Sequence, residues 1–114
     1  MNQLDSLNEL AADIGADIRL VQGGGGNISL KVEATLWIKA SGTWLADAKK
    51  RQIFVSLDLP AVRNALEAGS EDFSSSIKDN SGLRPSIETS LHALMPQQVV
   101  VHVHSINALS WAVR

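Results

Sequence analysis

Cysteine is absent from these 114 residues. Disulfides and thiolate-bound metal are therefore excluded, and a metal ion could be held only by histidine and carboxylate. The absence suits a reducing compartment, and a cytoplasmic location is the expectation. Positive charge is not in excess either, since 10 Lys and Arg stand against 12 Asp and Glu. The chain thus has no surplus with which to neutralise a nucleic-acid backbone or an anionic lipid surface. No stretch approaches the roughly 20 apolar residues that a bilayer requires. The opening "MNQLDSLNELAADIGAD" carries acids where a secretory signal needs a basic start and an apolar centre. Neither nucleic acid nor membrane is expected as a partner.

What is present suits one modest globular core, with 45% hydrophobic residues and little room for a second domain. Leu4, Leu7, Leu10, Ala11 and Ile14 recur at helical spacing, with Asp5 near the start and Gly15 near the end. After a run of glycines, "NISLKV" and "TLWIKA" are β-prone and separated by "EA", which predicts a hairpin although that pair is not a favoured turn. "ASGTWLADAKKRQ" reads as a polar loop and "IFVSL" as a third strand. Asp58 is placed to cap a helix with Pro60 in its first turn and Gly69 at its stop. "GSEDFSSSIKDNSG" has the composition of a surface loop, free to move in part. From Pro85, "SIETSLHALM" predicts a helix with Ile87, Leu91 and Leu94 on one face and a stop at Pro96. "QVVVHVHS" reads as a buried strand, and "INALSWAVR" opens a last helix with Ile106, Leu109 and Val113 on one side. Because that helix has no stop signal, residues 1–114 are expected to be the N-terminal portion of a single larger domain.

The sharpest chemical signal is "HVH". In a strand His102 and His104 share one face, so their imidazoles can lean onto one divalent cation, or can instead be half-buried and bonded to backbone carbonyls. His92, in an apolar helical pattern, is expected to be a packed, hydrogen-bonding residue rather than a ligand. Glu88, in the first turn of the helix that precedes the histidine strand, can serve as a general base or can merely complement the helix dipole. "SGT" at Ser41–Thr43 and "GGGGNIS" with Asn27 and Ser29 combine glycine with small polar side chains, as anion-binding loops do and as ordinary turns also do. Neither is a Walker loop, and Ile28 breaks the dinucleotide-binding glycine pattern.

Taken in order, "GGGGNISL", "IKASGTWL", "RPSIETSLH" and "VVVHVHSINALSWAV" resemble the class II aldolase/adducin family, from about residue 5 to the end. "LWIKASGTWLADA" and "PSIETSLHALMP" are most similar to the aldolase part of bifunctional rhamnulose-phosphate aldolase/short-chain dehydrogenase proteins. The resemblance implies a three-layer α/β/α fold around a mainly antiparallel sheet, and a zinc-dependent lyase that cleaves a sugar phosphate to dihydroxyacetone phosphate and an aldehyde. It implies zinc on His102 and His104, with Glu88 moving the proton at the enediolate carbon. A phosphate site would comprise Gly26, Asn27, Ser29, Ser41, Gly42, Thr43 and Ser86. Homotetramers with sites between subunits are common in the family, so homo-oligomerisation is the expectation.

Three departures go with it. Ile87 stands where the commoner family pattern has a second phosphate-binding serine, no histidine follows His104 as third ligand, and there is no tyrosine to act as the late general acid. Two other readings stand beside the aldolase. One is a relative of the pentose-phosphate epimerases, which carry Asp where Glu88 stands. The other is a truncated, inactive or adducin-like module, against which the intact histidine pair argues.

Overall fold

The structure, a computed structural model, describes residues 3–17 and 26–103. Gly23–Gly25, His104 and the helix expected from Ile106 lie outside these residues. The first helix, α1 (Gln3–Gly15), buries Leu7 and Ala11, with Leu4 and Ile14 packed beside them. Strands β1 (Asn27–Val32) and β2 (Thr35–Lys39) form the expected hairpin. Glu33 takes the positive φ, 56°, that its two-residue turn requires. Strand β3 (Phe54–Asp58) follows, and the Asp58 side chain accepts from the Ala61 N–H to cap α2 (Leu59–Glu67), as its sequence predicts. Helix α3 (Thr89–Leu94) and strand β4 (Val99–His102) complete the described residues.

The four strands lie in the order β3-β2-β1-β4, each pair antiparallel. Alternation along the strands then makes two cores. Ile28, Leu30 and Phe54 face α1, whereas Leu36, Ile38, Val55 and Leu57 pack with Val62 of α2 and Ala93 of α3. A sheet buried between helices on both faces is the three-layer α/β/α arrangement expected.

Four local expectations are corrected. The loop after β2 is not merely polar, because a short 3-10 helix, Leu45–Asp47, carries Leu45 into the α1-side core, where Ala48 joins it. The serine-rich stretch is tied to β3: Phe73 is buried, Ile77 bridges to Leu57, and Lys78 N–H donates to Ser56 O at 2.8 Å. Burial alone would raise the Asp79 carboxyl, but hydrogen bonds from Ser56 and Ser81 outweigh it and hold that carboxyl below its usual range. Strand β4 is not a buried strand, since Val99 and Val101 remain 44% and 41% exposed while only Val100 is covered. It ends the sheet, so no strand pairs with its outer edge among the described residues. Finally, Leu91 and Leu94 of α3 and Ile87 just before it are not buried as a helix face but exposed, with Ile87 at 95% exposure. The buried side carries Thr89, His92 and Ala93 instead.

Gly15 shows why α1 sits where it does. Its φ is not in the left-handed region, so it is not needed for a turn. A Cβ built on it would lie 2.2 Å from Ala46 N and 2.6 Å from Leu45 C, both backbone atoms that cannot swing away. The glycine lets α1 touch the 3-10 helix directly and close the core around Leu7, Ala11 and Leu45. We predict that Gly15→Ala lowers stability by about 1–3 kcal/mol through overpacking, despite alanine's better helix propensity. A urea titration showing an unchanged or raised midpoint would refute the close-approach account.

Candidate active site

Register brings the polar residues to one end of the sheet. Asn27 opposes His102 and Ser29 opposes Val100 across β1 and β4, so Asn27, Ser29 and His102 share the face that looks toward α3. At the same end, Arg84–Ser86 runs antiparallel beside Lys39–Ser41. Ser41 N–H donates to Arg84 O at 2.7 Å, Ser86 N–H donates to Lys39 O at 3.0 Å, and Pro85, with no N–H of its own, sits between them opposite Ala40. This clip fixes where the next helix starts. Ser86 Oγ then accepts from Glu88 N–H at 3.1 Å, and Ser86 O accepts from Thr89 Oγ1 at 2.6 Å. Glu88 is the residue immediately before α3, one position outside the first turn in which it was expected.

From that position the Glu88 side chain meets two imidazoles. Its Oε1 lies 3.2 Å from His92 Nε2, one helical turn further on, and 2.8 Å from His102 Nδ1 on β4. A carboxylate only accepts, so the two ring nitrogens facing it carry the protons. On its other side, His92 Nδ1 lies 2.6 Å from Ser29 Oγ. Ser29 and His92 are both fully buried. Burial pushes the His92 imidazole below its ordinary value, a displacement that hydrogen bonding and the charge of Glu88 oppose without cancelling. His92 is thus a packed, hydrogen-bonded residue, as its apolar pattern predicts.

The residues expected to cradle phosphate gather at this end of the sheet. Gly26, with φ 80°, leads into Asn27, whose Nδ2 donates to Ser86 Oγ. Asn27 Oδ1 is buried with no hydrogen-bond partner among the described residues. Ser41 and Gly42 are exposed beside Arg84. Gly42 has φ 79°, and a Cβ there would meet nothing among the described residues within 4 Å, so the backbone opens onto free space. Thr43 Oγ1 turns inward to donate to Ala40 O at 2.7 Å, and Ser29 is engaged by His92. A cleft of about 580 Å³ opens beside Ser86, but neither Glu88 nor His102 lines it. The site is defined by its side chains rather than by a cavity.

Of the expected metal ligands, His102 is half-buried beside Glu88, while His104 lies outside the described residues. Among the described residues no three His, Cys, Asp or Glu side chains gather as a metal cluster. The donor chemistry nevertheless fits in kind. An imidazole whose Nδ1 is anchored on a carboxylate, with its other nitrogen on the far side of the ring, is the arrangement that metal-ligating histidines adopt. Two lysines escaped the sequence reading. Lys39, 4% exposed, closes β2 at the mouth of the Ser41–Gly42 turn, and burial lowers its pKa while the Glu88 charge works the other way. Lys31 is also buried, donates to Gln97 O at 2.9 Å, and is lowered by burial and then by the charge of Arg63. The only sequence signal was a lysine in each strand where an apolar residue would pack.

A model of the class II aldolase and adducin N-terminal domain matches residues 8–114. The chain belongs to this family. A solved structure of the N-terminal class II aldolase domain of a conserved protein from Thermoplasma acidophilum superposes with a TM-score of 0.79 at 30% identity, covering 96% of this chain and 58% of that one. A relative from Bacillus subtilis (strain 168), named as the uncharacterized oxidoreductase YuxG, is 33% identical over 80% of this chain and 15% of its own length. The chain therefore spans somewhat over half of one relative and a small part of the other. This class II aldolase-like domain has an α/β structure with a four-stranded antiparallel sheet among the described residues.

The buried His92 makes the domain's stability depend on pH. Unfolded, the imidazole titrates near its ordinary 6.5; folded, it titrates lower. Between the two the unfolded chain binds more protons, so stability rises with pH, is fully present above about 6.5 and is lost as the pH falls. The slope contributed by one such group is at most about 1.4 kcal/mol per pH unit. We predict that His92→Asn, which cannot take up a proton, flattens the fall in urea midpoint between about pH 6.5 and 5. Equal slopes in wild type and variant would show that His92 is not held neutral by burial.

Proposed function

We propose that this domain is the N-terminal part of a zinc-dependent aldolase that cleaves a sugar phosphate such as rhamnulose 1-phosphate to dihydroxyacetone phosphate and lactaldehyde. The observation that carries this reading is the position of Glu88, whose carboxylate is held between an imidazole of its own helix and one on the neighbouring strand. A carboxylate fixed in place beside the proposed ligand His102 is what a proton transfer at carbon requires. His102 and His104 would hold the ion, with the family's third ligand having no counterpart among these 114 residues. When bound there, zinc supplies Lewis-acid polarisation of the substrate carbonyl.

The chain's own residues supply the rest. In cleavage, the hydroxyl on the departing carbon loses its proton to solvent as its C=O forms, the C–C bond electrons pass to the fragment that becomes dihydroxyacetone phosphate, and Glu88 delivers a proton to that enediolate carbon. In synthesis, it removes the same proton. Asn27, Ser41, Gly42 and Ser86 orient the phosphate by hydrogen bonds from side chain and backbone, with Lys39 adding positive charge nearby. Ile87 points outward and gives no such bond, so this phosphate site has fewer side-chain donors than its commoner counterparts. Glu88, where the epimerase relatives have Asp, favours the aldolase. A cytoplasmic homotetramer is part of the same proposal. The Bacillus subtilis relative's name fits the resemblance to aldolase parts joined to dehydrogenases, but no oxidoreductase chemistry is assigned to this domain.

Cleavage is read by coupling dihydroxyacetone phosphate release to NADH oxidation through glycerol-3-phosphate dehydrogenase, with zinc supplied. Glu88→Gln is expected to lower kcat by about 10²–10⁴-fold. Asn27→Asp, which sets a negative charge against the phosphate, is expected to raise KM about tenfold or more, an effect of about 1.4 kcal/mol. Zinc-loaded protein without cleavage activity, or Glu88→Gln with wild-type kcat, would return the domain to the non-catalytic reading.

A further inference from the structure

The resemblance assigns Ser29 to the phosphate, but the structure gives its hydroxyl another occupation. Ser29 Oγ sits fully buried against His92 Nδ1 at 2.6 Å, and the opposite nitrogen of the same ring reaches Glu88 Oε1 at 3.2 Å. The three groups come from β1, from α3 and from the residue that precedes α3, and they form a line from the centre of the sheet to the site. We propose that Ser29 and His92 are positioning residues: the Ser29 hydroxyl holds the His92 ring in place through Nδ1, and the His92 Nε2–H in turn fixes the Glu88 carboxylate toward His102. The inference rests on the reading of Glu88 as the proton-moving group.

The chemistry allows one consistent assignment. A neutral imidazole has one N–H and one lone pair. Glu88 as a carboxylate accepts, so the proton is on Nε2, Nδ1 is the acceptor, and the Ser29 hydroxyl donates. If the tautomer were reversed, Nδ1–H would point at Ser29, which can accept it. The Nε2 lone pair would then face the Glu88 oxygen, two acceptors in contact within a dry interior. That clash at Glu88 excludes the reversed tautomer, and the Ser29 hydroxyl, able to donate or accept, donates to the Nδ1 lone pair and so anchors the ring. His102, on the other side, also donates to Oε1, so the carboxylate has one oxygen gripped from two directions. Without His92 the grip is one-sided, and Glu88, being only partly buried, gains rotamers. Ser29 acts at one remove, as outer partners of an active group do.

The test begins with the ring itself, read without zinc or substrate by long-range ¹H–¹⁵N correlation on the ¹⁵N-histidine-labelled protein near neutral pH. His92 is expected with an unprotonated Nδ1 and a protonated Nε2. Ser29→Ala is expected to keep that tautomer, which Glu88 sets, but to move the Nδ1 resonance as its hydrogen bond is lost, and Ser29→Cys, with a weaker donor, to move it less. A proton on Nδ1 in the wild type, or a spectrum unchanged in Ser29→Ala, overturns the proposal. In the zinc-loaded protein, Ser29→Ala is expected to lower kcat about tenfold with KM unchanged. His92→Gln keeps an N–H toward Glu88 but has no ring nitrogen for Ser29 to hold, so Ser29→Ala added to it is expected to cost nothing further. Titration with inorganic phosphate supplies the counter-reading. A weaker phosphate affinity in Ser29→Ala, or full additivity with His92→Gln, makes Ser29 a phosphate ligand and ends the positioning account. Should Glu88→Gln prove harmless to activity, the aldolase reading fails, while the Nδ1 resonance still decides whether Ser29 holds the ring.

Discussion

The interaction on which the rest depends is the double hydrogen bond to Glu88, from His92 on α3 and His102 on β4. It links a helix on one face of the sheet to the last described strand. Around it the packing is ordinary: two apolar cores separated by a four-stranded antiparallel sheet, each covered by helix. Within one of those faces, Asn27, Ser29, His92, Ser86 and Thr89 are buried polar groups. Burying them without partners costs about 1–3 kcal/mol each, so an enclosed cluster of this kind persists only where nearly every donor and acceptor is matched. Here the match holds except at Asn27 Oδ1. That one exception is an acceptor, so the partner it lacks is a donor and not an anion.

The clip between Lys39–Ser41 and Arg84–Ser86 gives this arrangement its precision. It delivers Ser86 to Asn27, Glu88 to the two histidines, and the Ser41–Gly42 turn to the same end of the sheet. Helix α3 is short, and its outward side is apolar, so its position is set more by these polar ties and by Ala93 than by a wide hydrophobic stripe. The site and the placement of α3 are therefore one structural fact. A change that loosens Glu88 is expected to loosen the helix as well.

Much of the fold could be read in advance. The apolar spacing of α1, the Asp58 and Pro60 signals of α2, and the alternation of the β1–β2 hairpin are local, and local physics decided them. Periodicity put Ile87, Leu91 and Leu94 on one face but could not say that they would be exposed. Gly15 read as a stop because the 3-10 helix it touches is 30 residues away in the chain. Likewise, Ser29 looked like one member of an anion loop, since its partner His92 is separated from it by 63 positions. The buried lysines were missed because their burial depends on neighbours that only the sheet brings near. The proposed site residues stood out as four blocks in sequence order, yet which of them hydrogen-bond to one another could be seen only with the register.

The central claim, that Glu88 moves a proton at carbon, is tested most directly on half of the reaction. Dihydroxyacetone phosphate incubated with the zinc-loaded protein in deuterium oxide is followed by ¹H NMR for exchange at the carbon that bears the hydroxyl. The account predicts exchange of one of the two protons by the wild type, slowed by about 10²-fold or more in Glu88→Gln. Exchange at the wild-type rate in that variant would contradict it.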